Sequence, residues 1–150
     1  MSFITASFTK KKALSIVGII FAVILAVILL LSFLHGRDDL STTDGREKFL
    51  LKLGWEIDRS TEEYRTVSVP KVLEGVMEEY NKMQLSQGYD LSDHLGETCQ
   101  QYTYEITNYP NDSRTVLVTL YVQGKNIIAG DIHTSAIDGF MHAIKRNEAR

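Results

Sequence analysis

From Ala13 to Leu34 the chain runs for 22 residues without a charge, and only Ser15, Gly18 and Ser32 depart from apolar side chains. No other feature constrains the chain so tightly. As a helix such a run is about 33 Å long, against a hydrocarbon core about 30 Å thick. The spacing therefore predicts one transmembrane helix over 13–34. Lys10, Lys11 and Lys12 stand directly before it, and the first 12 residues contain no acid. On the far flank Arg37 is answered by Asp38 and Asp39. Excess positive charge stays on the cytoplasmic side, so residues 1–12 are expected in the cytoplasm and everything after the span outside it. A cleaved signal peptide fits less well. Its apolar core is usually about 7–15 residues and closes on small side chains, whereas this run ends Ser32-Phe33-Leu34-His35-Gly36. Cys99, the only cysteine, lies far from the run, which argues against a lipoprotein.

The 116 residues from His35 onward have ordinary globular composition, enough for one small domain and not for two. They hold 13 Lys and Arg against 19 Asp and Glu, a formal charge of −6. Such a surface repels phosphate backbones and anionic membrane faces, so nucleic acid is not an expected partner. A single cysteine makes no internal disulfide, and the fold must hold by packing alone.

Residues 35–43 read as a short polar tether, with the domain proper over 44–150. Asp44 and Glu47 have capping-box spacing at the start of a helix carrying Phe49, Leu50 and Leu53, with Gly54 as its C′ residue. Trp55-Glu56-Ile57 reads as a short strand, and Tyr64–Val69 as a second, with Val67 and Val69 facing in. Pro70 suits the first turn of a helix over 70–84, in which Val72, Leu73, Val76, Met77, Tyr80 and Met83 form an apolar stripe ended by Gly88. Glu78 and Lys82 make an i, i+4 pair on its other side. Tyr89–Gly96 is a connector anchored by Tyr89, Leu91 and Leu95. Three alternating strands follow, over 98–108, 114–122 and 127–133, joined by turns at Pro110–Ser113 and Gln123–Asn126. In the first, Tyr102, Tyr104 and Ile106 share the buried face and Thr103, Glu105 and Thr107 the open one. Ile137, Phe140, Met141 and Ile144 predict a closing helix over 136–145. The expected fold is α+β, a two-layer domain with an antiparallel meander sheet packed by a helix, preceded by the transmembrane helix. The helix of 70–84 should lie across the face carrying Tyr102, Tyr104, Val118 and Leu120.

Several motifs occur in a fixed order: Tyr80-Asn81-x-x-Gln84, Gly88-Tyr89-Asp90-Leu91-Ser92, Tyr102-x-Tyr104-x-Ile106-x-Asn108-Tyr109-Pro110, Ala129-Gly130-Asp131-Ile132 and Asp138-Gly139-Phe140-Met141-His142. In these the sequence, over roughly residues 46–144, resembles a domain-of-unknown-function family, number 4830 of that series. The resemblance implies a small membrane-anchored protein of Gram-positive, often spore-forming bacteria with its domain outside the cytoplasm. It brings no catalytic residues, and His133 stands where its pattern leads one to expect a cysteine.

The sharpest candidate chemistry is Asp131, His133, Asp138 and His142. The first two are two apart on a strand and the last two are four apart on the expected helix. Two carboxylates and two imidazoles suit zinc or another divalent metal. Each also has a plainer use: Asp138 completes a capping box with Ser135, and His142 complements a helix C-terminus. Ser135 beside His133 lacks a G-x-S-x-G elbow, and Cys99 with His94 and Asp93 is a triad by residue type only. Asn111-Asp112-Ser113 matches a glycosylation acceptor and marks an exposed loop. Tyr102, Tyr104, Tyr109 and Tyr121 offer an aromatic surface at one sheet face and its end. The sequence thus leads to a non-enzymatic, single-pass, extracytoplasmic interaction domain with a protein or cell-envelope partner and no cofactor. The alternative is a metal- or small-ligand-binding sensor or hydrolase built on the Asp/His cluster.

Overall fold

A computed structural model of the chain describes residues 10–34, 38–110, 114–136 and 138–145. Two compact units are present, 1–37 and 38–150. In the first, Lys10–Leu34 form helix α1. Its described side chains, 17–30, are all exposed within this chain. Those residues alone would cover only about 21 Å as a helix, and among the described residues no helix is long and apolar enough to cross a membrane.

The second unit is an α+β domain. Its elements run α2 (Thr43–Lys52), β1 (Ile57–Ser68), α3 (Val76–Gln87), a 3-10 turn (Leu91–His94), β2 (Thr98–Ile106), β3 (Val116–Gln123), β4 (Asn126–Thr134) and β5 (Met141–Ala143). The five strands form one antiparallel sheet in sequence order. The three central alternating runs form β2, β3 and β4 as their patterns require.

The domain starts earlier than the tether reading allows. Leu40 is buried, its N–H donates to the Lys125 carbonyl at 3.2 Å, and Asp39 pairs with Lys125 at 2.8 Å. Thr42, not Asp44, caps α2, its hydroxyl accepting from Gly45 N–H. Asp44 and Glu47 instead pair with Arg59. The helix ends as expected at Gly54, whose φ of 86° permits the N–H groups of Gly54 and Trp55 to reach back to the Leu51 and Leu50 carbonyls.

Of the short strand expected at Trp55–Ile57 only Ile57 is in a strand, and there it opens β1, which continues through the second expected strand to Ser68 with its register broken between Asp58 and Glu63. Asp58 accepts from Ser60 N–H and hydroxyl there, and the Thr61 hydroxyl donates to the Asp58 carbonyl, which closes the bulge locally.

Two further expectations fail. Helix α3 begins six residues after Pro70, because Gly75 takes φ 57° and interrupts the run. The expected stripe is buried only in part: Leu73, Met77 and Tyr80 pack against a buried cluster, Val72 and Val76 are exposed, and the most buried residues of α3 are Asn81, Gln84 and Gln87. The amides have a definite use. Gln84 donates to the Gly130 carbonyl at 3.0 Å and accepts from Gly130 N–H at 2.9 Å, as a neighbouring strand would. Gln87 donates to the same carbonyl at 3.0 Å and accepts from Ile144 N–H at 2.8 Å. So α3 does not lie across Tyr102, Tyr104, Val118 and Leu120. It seals the β4 edge where β5 runs out. The expected Glu78–Lys82 pair forms at 3.3 Å.

The closing helix is absent from the described part of 136–145, which contains β5 instead. Gly139 sits in a turn, its N–H donating to the Ala136 carbonyl at 2.9 Å, and a Cβ there would lie 2.5 Å from Thr134 Oγ1. The turn returns 141–143 to pair with 131–133, and Ile144 is then buried against the inner face. Ile137, and the turn and acceptor motif at 111–113, lie outside the described residues.

The inner sheet face carries Tyr104, Ile106, Val116, Val118, Leu120, Val122 and Ile132, packed with Leu40, Leu50, Trp55 and Ile144. Arg46 of α2 is 2% exposed within it. Its guanidinium lies 3.5 Å from the Tyr102 ring centroid and donates to Tyr104 Oη, the Leu40 carbonyl, Thr43 and Glu62. Tyr104 also donates to Glu62. Burial works to raise the Glu62 carboxyl, but these donors and the Arg46 charge outweigh it and hold it below its ordinary value.

Candidate ligand-binding pocket

The alternation that points Tyr104 and Leu120 inward points their neighbours to the opposite, outer face. Antiparallel register sets those residues in rows: Arg65, Gln101, Tyr121 and Ala129 in one, Thr103, Thr119 and Asp131 in the next, then Leu117, His133 and Met141. Tyr80 and Met77 of α3 reach this face from the β4 edge and pack with Tyr121, Ala129, Cys99, Val69 and Leu91. Between them lies a pocket of about 480 Å³, bordered by a second recess of about 280 Å³. The larger falls within the usual size of small-molecule sites. The β2 face expected to be open is thus buried at Cys99 and Gln101.

Asp131 is the polar centre of the pocket wall. It is 2% exposed, accepts from the Tyr80 hydroxyl at 2.7 Å through Oδ2, and meets His133 Nδ1 at 2.8 Å through Oδ1. With the ring proton on Nδ1, His133 donates and Asp131 accepts in this bond. Burial, reinforced by the Asp131 charge, pushes the Tyr80 hydroxyl far above its ordinary range, and it stays a donor. The same two causes raise Tyr121, although the Arg65 charge works against them. Burial raises the Cys99 thiol, which lies in the pocket lining as an inert group. Around this centre Arg65 Nε donates to Gln101 at 2.5 Å, Gln101 donates to Tyr121 at 3.3 Å, and the Thr103 and Thr119 hydroxyls meet at 3.1 Å.

Of the four residues singled out for metal chemistry, the structure brings together two, Asp131 and His133. His142 pairs in register with Ile132 and therefore faces inward. Its Nδ1 donates to the Ala143 carbonyl at 2.8 Å, its Nε2 accepts from the Tyr109 hydroxyl at 2.9 Å, and its ring stacks on Phe140. Asp138, 88% exposed, stands 3.7 Å from Arg114. Among the described residues no group of three or more His, Cys, Asp or Glu is placed to hold a metal ion. Ser135 is exposed and makes no hydrogen bond with His133, and His94 pairs with Glu97 at 3.0 Å. The tyrosines divide: Tyr102 and Tyr104 face inward, Tyr109 stacks on Trp55 and Phe140 at the end of that core, and Tyr121 faces the pocket.

Several motif residues turn out to be joints between elements. Asn81 donates to Asp90 and accepts from Leu91 N–H, Tyr80 reaches Asp131, Gln84 pairs with Gly130, and Asn108 bridges Gly54 and Glu56. A family model described as Domain of unknown function (DUF4830) matches residues 49–132, more than half of the chain. The chain belongs to the DUF4830 family. The DUF4830 match spans the end of α2 through most of β4, including Tyr80, Arg65, Gln101 and Asp131 of the pocket, and stops before His133 and β5. Neither a curated protein nor a solved structure matches the chain.

The pocket was not legible as a site because its lining comes from all five strands and α3. The Asp131-x-His133 spacing did signal two side chains on one face of one strand.

Proposed function

We propose that this chain is a membrane-anchored, non-enzymatic binding module whose α+β domain stands outside the cytoplasm and receives a cell-envelope ligand in the outer-face pocket. The observation that carries the binding role is the pocket itself: an apolar hollow on a sheet face with a few convergent polar groups held by Asp131, Tyr80 and Gln101. Support for the anchor is the uncharged run of 22 residues and the three lysines before it, together with the exposed apolar side chains over 17–30. N-terminus in, domain out follows from the same charges. A second reading, a hydrolase or metal-assisted sensor, is favoured by one observation, the orientation of His133 by Asp131. It lacks a hydroxyl or thiol hydrogen-bonded to His133 among the described residues.

Protoplasts carrying the chain with different epitopes at its two ends test the anchor and its direction. External protease should remove the C-terminal epitope while the N-terminal one stays in carbonate-washed membranes. A C-terminal epitope that survives until the cells are lysed, or a chain recovered in the soluble fraction, contradicts the reading.

A further inference from the structure

The pocket and the adjoining recess share a wall. Arg65, Gln101, Thr119 and His133 line both, whereas Val69, Met77 and Leu91 line only the larger and Glu63 and Thr103 only the smaller. The charged hydrogen-bonding capacity left over on that wall is donor capacity. Arg65 donates from Nε to Gln101, and among the described residues its Nη1 and Nη2 have no partner. Gln101 places one amide hydrogen on Tyr121 and has another to give. Of the acceptors close by, Asp131 takes Tyr80 and His133 and the Thr103 and Thr119 hydroxyls face each other, which leaves Nε2 of the His133 ring. Glu63 is exposed and borders only the smaller recess. At the other end of the hollow, Val76 and Met141 line the larger pocket while 84% and 55% exposed, so its wall continues as apolar surface left in water.

An apolar hollow that ends at the free fork of an arginine is complementary to a molecule with an apolar body and an acidic end. Resting on the reading of this face as a binding site, we propose that the pocket takes a single-chain amphiphile with an anionic head. The chain lies in the larger recess against Met77, Leu91 and Met141, and the head meets Arg65 and Gln101. One chain suits a hollow of about 480 Å³.

Methyl-labelled methionine reports on this directly, because Met77 and Met141 line the pocket and Met83 does not. The full chain, held in discs of neutral phosphatidylcholine, is titrated with octanoate, octanol and octylammonium, with free concentrations corrected against empty discs. Octanoate should shift the Met77 and Met141 methyls saturably, leave Met83 in place, and bind about tenfold more tightly than the other two. Arg65→Gln, a change at an exposed strand position, should erase that preference while the two methyls still respond to octanol. Octanol or octylammonium binding as tightly as octanoate overturns the anionic head and leaves the pocket standing. No shift of Met77 or Met141 with any of the three overturns the pocket as a binding site along with its ligand.

Discussion

On the inner face of the sheet Tyr104, Val118, Leu120 and Ile132 meet Leu50, Trp55 and Ile144 and are fully buried. On the outer face Thr119, Ala129 and Asp131 are as deeply buried, yet all three border a pocket. The same strands and the same alternation build both. The difference lies in what completes each side. Inside, α2 and the chain around it bring apolar side chains and one arginine that makes four hydrogen bonds. Outside, α3 stops at the β4 edge, spends its amides on Gly130, and leaves the rest of the face to polar groups that hold one another. A buried residue on this sheet is therefore not by itself a core residue.

The largest effect should come from the inner polar joint. Arg46→Met removes donors to Tyr104, the Leu40 carbonyl, Thr43 and Glu62 and leaves the partly buried Glu62 carboxylate without its counter-charge. A loss of about 3 kcal/mol in urea unfolding is expected; a change under about 1 kcal/mol would show that the face tolerates water after all. On the outer face Asp131→Ala leaves the Tyr80 hydroxyl without its acceptor, and about 2 kcal/mol should be lost. Adding Tyr80→Phe should recover part of it, since both partners are then gone; strictly additive losses would mean that the bond does not couple α3 to β4.

Glu62→Gln should have the smallest effect at neutral pH, and its signature is the pH profile. The Glu62 carboxyl is held below its ordinary value of 4.5 in the folded chain. The stability it contributes is therefore complete above that value and is lost as the pH falls through the lower folded one. The variant should be somewhat less stable at pH 7 and show a shallower acid limb below about pH 4.5. Parallel profiles for the variant and the wild type would exclude the Arg46–Tyr104–Glu62 joint as a source of acid sensitivity.

How much of this was readable in the sequence follows from where the signal sits. Period-two alternation at Tyr102, Tyr104 and Ile106, and from Val116 to Val122, belongs to single strands and survives folding intact. The docking of α3 is carried by Asn81, Gln84 and Gln87, whose spacing is helical but whose side chains read as solvent-facing; only the strand edge they meet reveals their use. β5 is three residues long, too short for any period, and its neighbours Phe140, Met141 and Ile144 mimic a helical stripe. Arg46 looks like any surface arginine until Tyr102 and Tyr104 arrive from a distant strand. The Asp131–His133 pair was visible because both ends lie on one strand, whereas the inward turn of His142 depends on the β4–β5 register.

The contrast between a closed inner face and an open outer one is tested most directly by filling each. Ala129→Leu adds bulk on the outer face at a residue lining the pocket, and Val118→Phe adds it on the inner face at a residue packed on that side. Unfolding free energies of the two variants should part company: the first within about 1 kcal/mol of wild type or more stable, the second lower by about 1–3 kcal/mol. Equal destabilisation by both would mean that the outer face is as tightly packed as the inner one and holds no room for a ligand.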